Sequence, residues 1–195
     1  MKIRDWEEHI DRLYVEEKKN KSDINEHLHE LYTLACNVTH VTEMGSRFGA
    51  STKAFLNAPV SLRAYDIEIH PPLMELFKMA RKVGKDVEYI RGNTLEILIE
   101  PTDMIFIDTW HSQDQLRKEL KLHGNAARKY LAFHDTHTYG VRDEQTDWAK
   151  NPNRKAMPNQ GLLPAIIDFV IENPHWNFKS HKSNNNGLTV LERRG

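Results

Sequence analysis

The chain has 195 residues, with 27 lysines and arginines against 28 aspartates and glutamates and a formal net charge of −1. That length can bury an ordinary core without disulfides or a structural metal, and the balanced charge argues against a global field that would draw the protein onto nucleic acid or anionic lipid. Cys36 is the only cysteine, the first residues lack the apolar stretch of a signal peptide, and the longest mostly apolar run, 162–171, holds Pro164 and Asp168 and is too short for a bilayer, so a cytoplasmic protein with no membrane segment is expected.

Ile3, Trp6, Ile10, Leu13 and Tyr14 recur at helical spacing and predict an amphipathic first helix over 3–17 whose apolar stripe needs a partner surface. After the polar break at 18–21, Ser22 or Asp23 is placed to cap a second helix carrying Ile24, Leu28, Leu31 and Leu34. From residue 38 the pattern changes. Short apolar runs at 38–44, 62–67, 87–90, 104–107 and 130–133 alternate with helical segments, which implies a parallel sheet built from right-handed crossovers. A helix over 162–172 follows, then strands over 176–182 and 188–192 joined by Ser183-Asn184-Asn185-Asn186-Gly187, the turn chemistry of an antiparallel hairpin. The expected fold is α/β: one open, doubly wound, mostly parallel, Rossmann-like sheet over 38–195 with a C-terminal hairpin. Two helices over 1–37 precede it as an extension, read as a cofactor lid or a dimer contact.

Each early run ends in a polar residue: Gly45, Asp66, Asn93, Asp108 and His134-Asp135. Ligands of open α/β sheets bind beyond those strand ends, so these residues should share one crevice. The loop from Glu43 through Gly45, Ser46 and Gly49 to Ser51 and Thr52 follows a strand and opens a helix, with glycines where backbone must turn tightly near a ligand. It lacks the dinucleotide spacing, and its acid suits an ammonium group better than a phosphate. The plain alternative is an ordinary turn with packing glycines. Asp66, some twenty residues after the loop, can grip ribose hydroxyls. Asn93 can serve an adenine edge or simply close a turn.

Asp108, His111, His134, Asp135 and His137 bring two carboxylates and three imidazoles to neighbouring strand ends, enough oxygen and nitrogen for one divalent ion. They can equally cap the following helices. Asp114 and Glu119 read as solvated helix surface. The connection 141–160, with Trp148, Pro152 and Pro158, reads as a substrate-binding loop, Trp148 either stacking on a sugar or aromatic ring or packing on the domain.

In order and spacing these motifs resemble the class I S-adenosylmethionine-dependent methyltransferases, in particular the metal-dependent O-methyltransferases of the catechol, macrolide-sugar and cephalosporin-hydroxylase-like group, over about residues 38–192. The resemblance implies that Glu43, Gly45, Gly49, Ser51 and Thr52 hold the methionine part of S-adenosylmethionine, and Ser46 in the same loop is a further cofactor-binding candidate. It implies that Asp66 binds the ribose and that Asp108 stands between cofactor and metal. Asp108, His134 and Asp135 become the ligands of a divalent metal, with His111 as general base. The family places an acid where His134 stands, and an imidazole there should disfavour magnesium relative to manganese or another transition metal. The expected reaction is O-methylation of a hydroxylated small molecule or sugar, with no nucleic-acid or membrane partner and homo-oligomerisation left open. Two rivals remain: a metal-dependent hydrolase using Asp108, His111, Asp135 and His137, which leaves Glu43 and Asp66 without a task, and a non-catalytic ligand-binding protein on a methyltransferase scaffold.

Overall fold

The computed structural model describes residues 3–144 and 160–194. In chain order the elements are α1 (Ile3–Lys19), a 3-10 turn (Asn25–His27), α2 (Leu28–Ala35), β1 (His40–Met44), α3 (Ala50–Asn57), β2 (Ser61–Asp66), α4 (Pro71–Lys82), β3 (Val87–Arg91), β4 (Thr102–Ile107), α5 (Gln113–His123), β5 (Ala127–His134), α6 (Leu162–Glu172), β6 (Trp176–Lys182) and β7 (Leu188–Arg193). The strands form one sheet in the order β3-β2-β1-β4-β5-β7-β6. β1 to β5 run parallel, while β7 pairs antiparallel with both β5 and β6. The expected α/β sheet and terminal hairpin are both present. Strand order reverses between β1 and β4, the switch point at which such sheets open a ligand crevice.

Side chains alternate across the sheet. Met104 and Phe106 of β4 join a buried cluster with Phe55, Leu56 and Phe77, while Ile105 and Ile107 join another with Leu116, Leu120, Ile166 and Phe169. Helices α3 and α4 therefore cover one face, and α5 and α6 the other. Ile10, Tyr14, Leu28 and Leu31 lie in the first cluster, and α1 packs on α3 and α4 while α2 packs on α3. The apolar stripe of the first helix is thus covered from within the chain.

Several boundaries differ from the sequence reading, two of them for a visible reason. The Ser22 hydroxyl accepts the Asn25 N–H at 3.0 Å ahead of the 3-10 turn, and α2 begins only at Leu28, with no side-chain cap on either element. β5 starts at Ala127 rather than 130, because backbone pairing with β4 at Thr102 extends it beyond its apolar run. Among the described residues no helix is long and apolar enough to cross a membrane.

Candidate active site

Register sets the crevice. Met44 pairs with Ile107 and Ile107 with Phe133, so Gly45 and Asp108, just past β1 and β4, come level with His134, the last residue of β5. Gly45 adopts φ 85°, and a Cβ there would stand 2.1 Å from the Asp108 carbonyl oxygen, so no larger residue fits the approach of the β1 loop to β4. Glu43 is fully buried and accepts hydroxyl hydrogen bonds from Ser51 at 2.5 Å and Thr52 at 2.7 Å. Burial pushes its carboxyl up to about 7, against the pull of those two hydroxyls. Asp66 accepts the backbone N–H groups of Ser46 at 3.0 Å and Arg47 at 2.7 Å on one oxygen, and that of Glu68 at 3.0 Å on the other. The glycine loop and the end of β2 are therefore tied together through one carboxylate. Asn93 lies past β3 with its amide engaged locally, accepting from the Leu95 N–H at 3.0 Å and donating to Glu96 at 2.9 Å.

Across the crevice the imidazoles and aspartates come together. His111 Nε2 stands 3.3 Å from Asp108 Oδ1 and 2.9 Å from Asp135 Oδ2. His134 Nδ1 faces the same two oxygens at 3.4 and 3.2 Å, within ion-pair reach but off-axis for a hydrogen bond. Burial works against charge on either imidazole, yet the two aspartates outweigh it, pushing His111 up to about 10 and His134 up to about 11. Burial likewise raises both aspartates, and the imidazoles more than reverse this, holding Asp108 and Asp135 below the usual carboxylate range. Asp135 adopts φ 60°, a left-handed conformation uncommon for a side chain and a local cost the surroundings must hold.

This donor set fits a divalent ion. Asp108, His111 and Asp135 can each offer one ligand atom within a single small cluster, in which the imidazole is His111 and not the expected His134. Two ligands about 2.1 Å from a common ion stand roughly 3 to 3.4 Å apart, close to the spacing of the four nitrogen–oxygen pairs. Among the described residues His134 Nδ1 and Asp135 Oδ1 are buried without hydrogen-bond partners, and His134 Nε2 lies 3.1 Å from the Asp23 carbonyl and 3.3 Å from that of Asn185. A proton on Nε2 donated to those carbonyls leaves the Nδ1 lone pair for the ion, the usual support of a metal-bound imidazole.

The sequence reading missed three parts of this region. Glu119 is wholly buried rather than solvated: it accepts from Thr94 at 2.6 Å, Gln115 at 2.8 Å and Thr109 at 2.9 Å, linking the loops after β3 and β4. Its carboxyl is raised by burial, which outweighs those hydrogen bonds. The available signal was its place at helical spacing with Leu116, Leu120 and His123. Asp114 does stay at the surface, paired with Lys118 at 2.6 Å. Glu144 meets His111 Nδ1 at 3.0 Å, and nothing in its local sequence marks it. The third is the support of His134 by Asp23 and Asn185. His137 is exposed and stands outside the carboxylate–imidazole cluster, which leaves the hydrolase reading without one of its groups. Trp148, Pro152 and Pro158 lie outside the described residues.

No protein-family model matches the chain, and no curated protein matches it in sequence. Solved structures do. A Staphylococcus aureus protein assigned provisionally as a caffeoyl-CoA O-methyltransferase superposes with a TM-score of 0.59 at 17% identity, over 96% of this chain and 98% of that one. The Burkholderia thailandensis 1,6-didemethyltoxoflavin-N1-methyltransferase, with its toxoflavin precursor and S-adenosylhomocysteine bound, gives 0.61 at 13%, over 91% and 80%. The N-methyltransferase NodS from Bradyrhizobium japonicum WM9 with S-adenosylhomocysteine gives 0.60 at 14%, over 94% and 98%. At such identities the likeness shows the fold: this chain has the Rossmann-like architecture of the methyltransferases.

Proposed function

We propose that the protein is an S-adenosylmethionine-dependent methyltransferase acting on a hydroxyl of a small molecule or sugar, with a divalent cation at Asp108, His134 and Asp135. The observation that carries this reading is the shared edge of one sheet, where an acid-glycine loop braced by Asp66 follows β1 and a carboxylate–imidazole cluster follows the neighbouring β4 and β5. The solved neighbours with S-adenosylhomocysteine bound support the choice of donor.

S-adenosylmethionine supplies a methyl group on a sulfonium, open to in-line displacement. The chain's part is to hold donor and acceptor in line and to manage one proton. The loop backbone from Gly45 to Gly49 holds the methionine end, and Glu43, clasped by Ser51 and Thr52, fixes the loop's root. Asp66 keeps acceptor capacity on Oδ1, which among the described residues takes only the Glu68 N–H, for a ribose hydroxyl. Asn93 stands at the adenine side.

His111 is the proton acceptor. Between two aspartates it binds its own proton too tightly to act as a base near neutral pH, so its role depends on positive charge being placed on Asp108 and Asp135. A cation there supplies that charge and makes an acceptor hydroxyl more acidic. The nitrogen of His134 among the ligands favours manganese or another transition ion over magnesium. The near-neutral net charge favours a small acceptor over nucleic acid. A cytoplasmic setting belongs to the same proposal.

Calorimetry with S-adenosylhomocysteine should show binding to wild type that Asp66→Ala weakens about tenfold or more. Anomalous diffraction from crystals soaked in manganese should show one peak among Asp108, His134 and Asp135. Wild-type protein that binds no S-adenosylhomocysteine would overturn the assignment of the donor.

A further inference from the structure

We propose that Glu144 is the positioning residue of the site: its carboxylate holds the His111 ring through Nδ1 and thereby commits Nε2 to Asp108 and Asp135. An imidazole with two similar nitrogens can present either one, and the choice is set by what holds the other. Here Glu144 Oε2 lies 3.0 Å from Nδ1, with both side chains about one-fifth exposed. The grip is reciprocal along the backbone, because the Glu144 N–H donates to the His111 carbonyl at 2.8 Å. The ring is fixed in a third direction by Tyr139, stacked with centroids 4.9 Å apart and planes 4° from parallel.

The segment that carries Glu144 is itself anchored. Asp143 Oδ1 accepts the Gln113 N–H at 2.9 Å and the Gly161 N–H at 3.0 Å, fastening it to the starts of α5 and α6. A freely solvated ion pair on a flexible segment would contribute little. One held by backbone at both partners can define a side chain's orientation. The two imidazoles of the site are then supported alike, each gripped at its outward nitrogen: His111 by a carboxylate, His134 by the carbonyls of Asp23 and Asn185. The carboxylate on His111 also raises the basicity of Nε2, the atom that faces an incoming hydroxyl. That catalytic use rests on the reading of His111 as proton acceptor; the orientation of the ring does not.

Nuclear magnetic resonance of the protein with nitrogen-15 in its histidine rings tests the proposal. Wild type should show a downfield, slowly exchanging Nδ1–H signal, assigned to His111 by its loss in His111→Gln. Glu144→Gln, which keeps an acceptor oxygen, should retain the signal. Glu144→Ala should abolish it, and Glu144→Asp, one methylene shorter, should shift it upfield and speed its exchange. A signal unchanged in either Glu144→Ala or Glu144→Asp, or missing from wild type, overturns the proposal. Binding of S-adenosylhomocysteine, measured on the same samples, separates the two readings. Its absence would sink the methyltransferase assignment while leaving the ring orientation as measured.

Discussion

Glu43 shows how one residue joins site and stability. Its carboxyl is pushed up from 4.5 to about 7 by complete burial, so the folded state binds its proton more tightly than the unfolded chain does. The sign follows directly: its favourable contribution is whole below 4.5 and is lost as pH rises to about 7. Glu43→Gln should flatten the fall in stability over that interval, a term on the order of 3 kcal/mol, in urea titrations at several pH values. A slope the same as wild type would mean that Glu43 ionises as in water. Gly45 makes a cleaner steric case. Gly45→Ala places a Cβ 2.1 Å from the Asp108 carbonyl at a positive φ, and should cost about 2 kcal/mol or more, read from the urea midpoint. Both residues were visible in the sequence, because polar residues and glycines at the ends of apolar runs report the edge of a sheet. Glu119 was not. A charged residue in a charge-rich helix reads as solvated, and only the loops docked on α5, bearing Thr94 and Thr109, make its burial sustainable.

At the scale of elements, the asparagine-rich turn between β6 and β7 does more than reverse the chain. Asn185, at φ 47°, donates to the Ser22 carbonyl at 2.7 Å and accepts the Glu26 N–H at 3.0 Å, while its own carbonyl faces His134. Asn185→Gly keeps the left-handed conformation and removes only the side-chain bonds, at about 1 to 2 kcal/mol. Asn185→Ala adds a backbone penalty of roughly 1 kcal/mol. Denaturation of the pair should rank Ala below Gly, and the reverse order would show that conformation is not the controlling term. The hairpin itself was legible from alternation and turn residues. Its second task was not, because the partner segment lies more than 150 residues away in sequence and nothing local announces the contact. The same limit hid the 3-10 turn before α2, where Ser22 bonds the Asn25 N–H but caps neither the turn nor the helix.

For the whole molecule, alternating strands and helices were enough to infer a parallel sheet, whereas the order β5-β7-β6 depends on the tail folding back against β5 and has no signature in the sequence. The charge cluster gives a global prediction for the metal-free protein. His111 and His134, raised to about 10 and about 11, stabilise fully below 6.5 and lose that contribution as pH climbs toward those values. Asp108 and Asp135, held low, stabilise above 3.8 and lose their contribution on acidification. The thermal midpoint should therefore fall as pH rises from about 6.5 to about 10, and a midpoint that climbs over that range would contradict the ion-paired cluster. The grip on His134 also has a consequence in time. Asp23 leaves the ribosome early, His134 much later, and Asn185 near the end of the described chain, yet all three must meet before the imidazole is held from both sides. Synthesis proceeds at roughly 5–20 residues per second, so for several seconds a nascent chain carries the aspartates and histidines without the turn that aims one of them. The proposed ion site is thus completed as one of the last acts of folding, and ribosome-bound chains halted before residue 184 should retain zinc more weakly than the released protein.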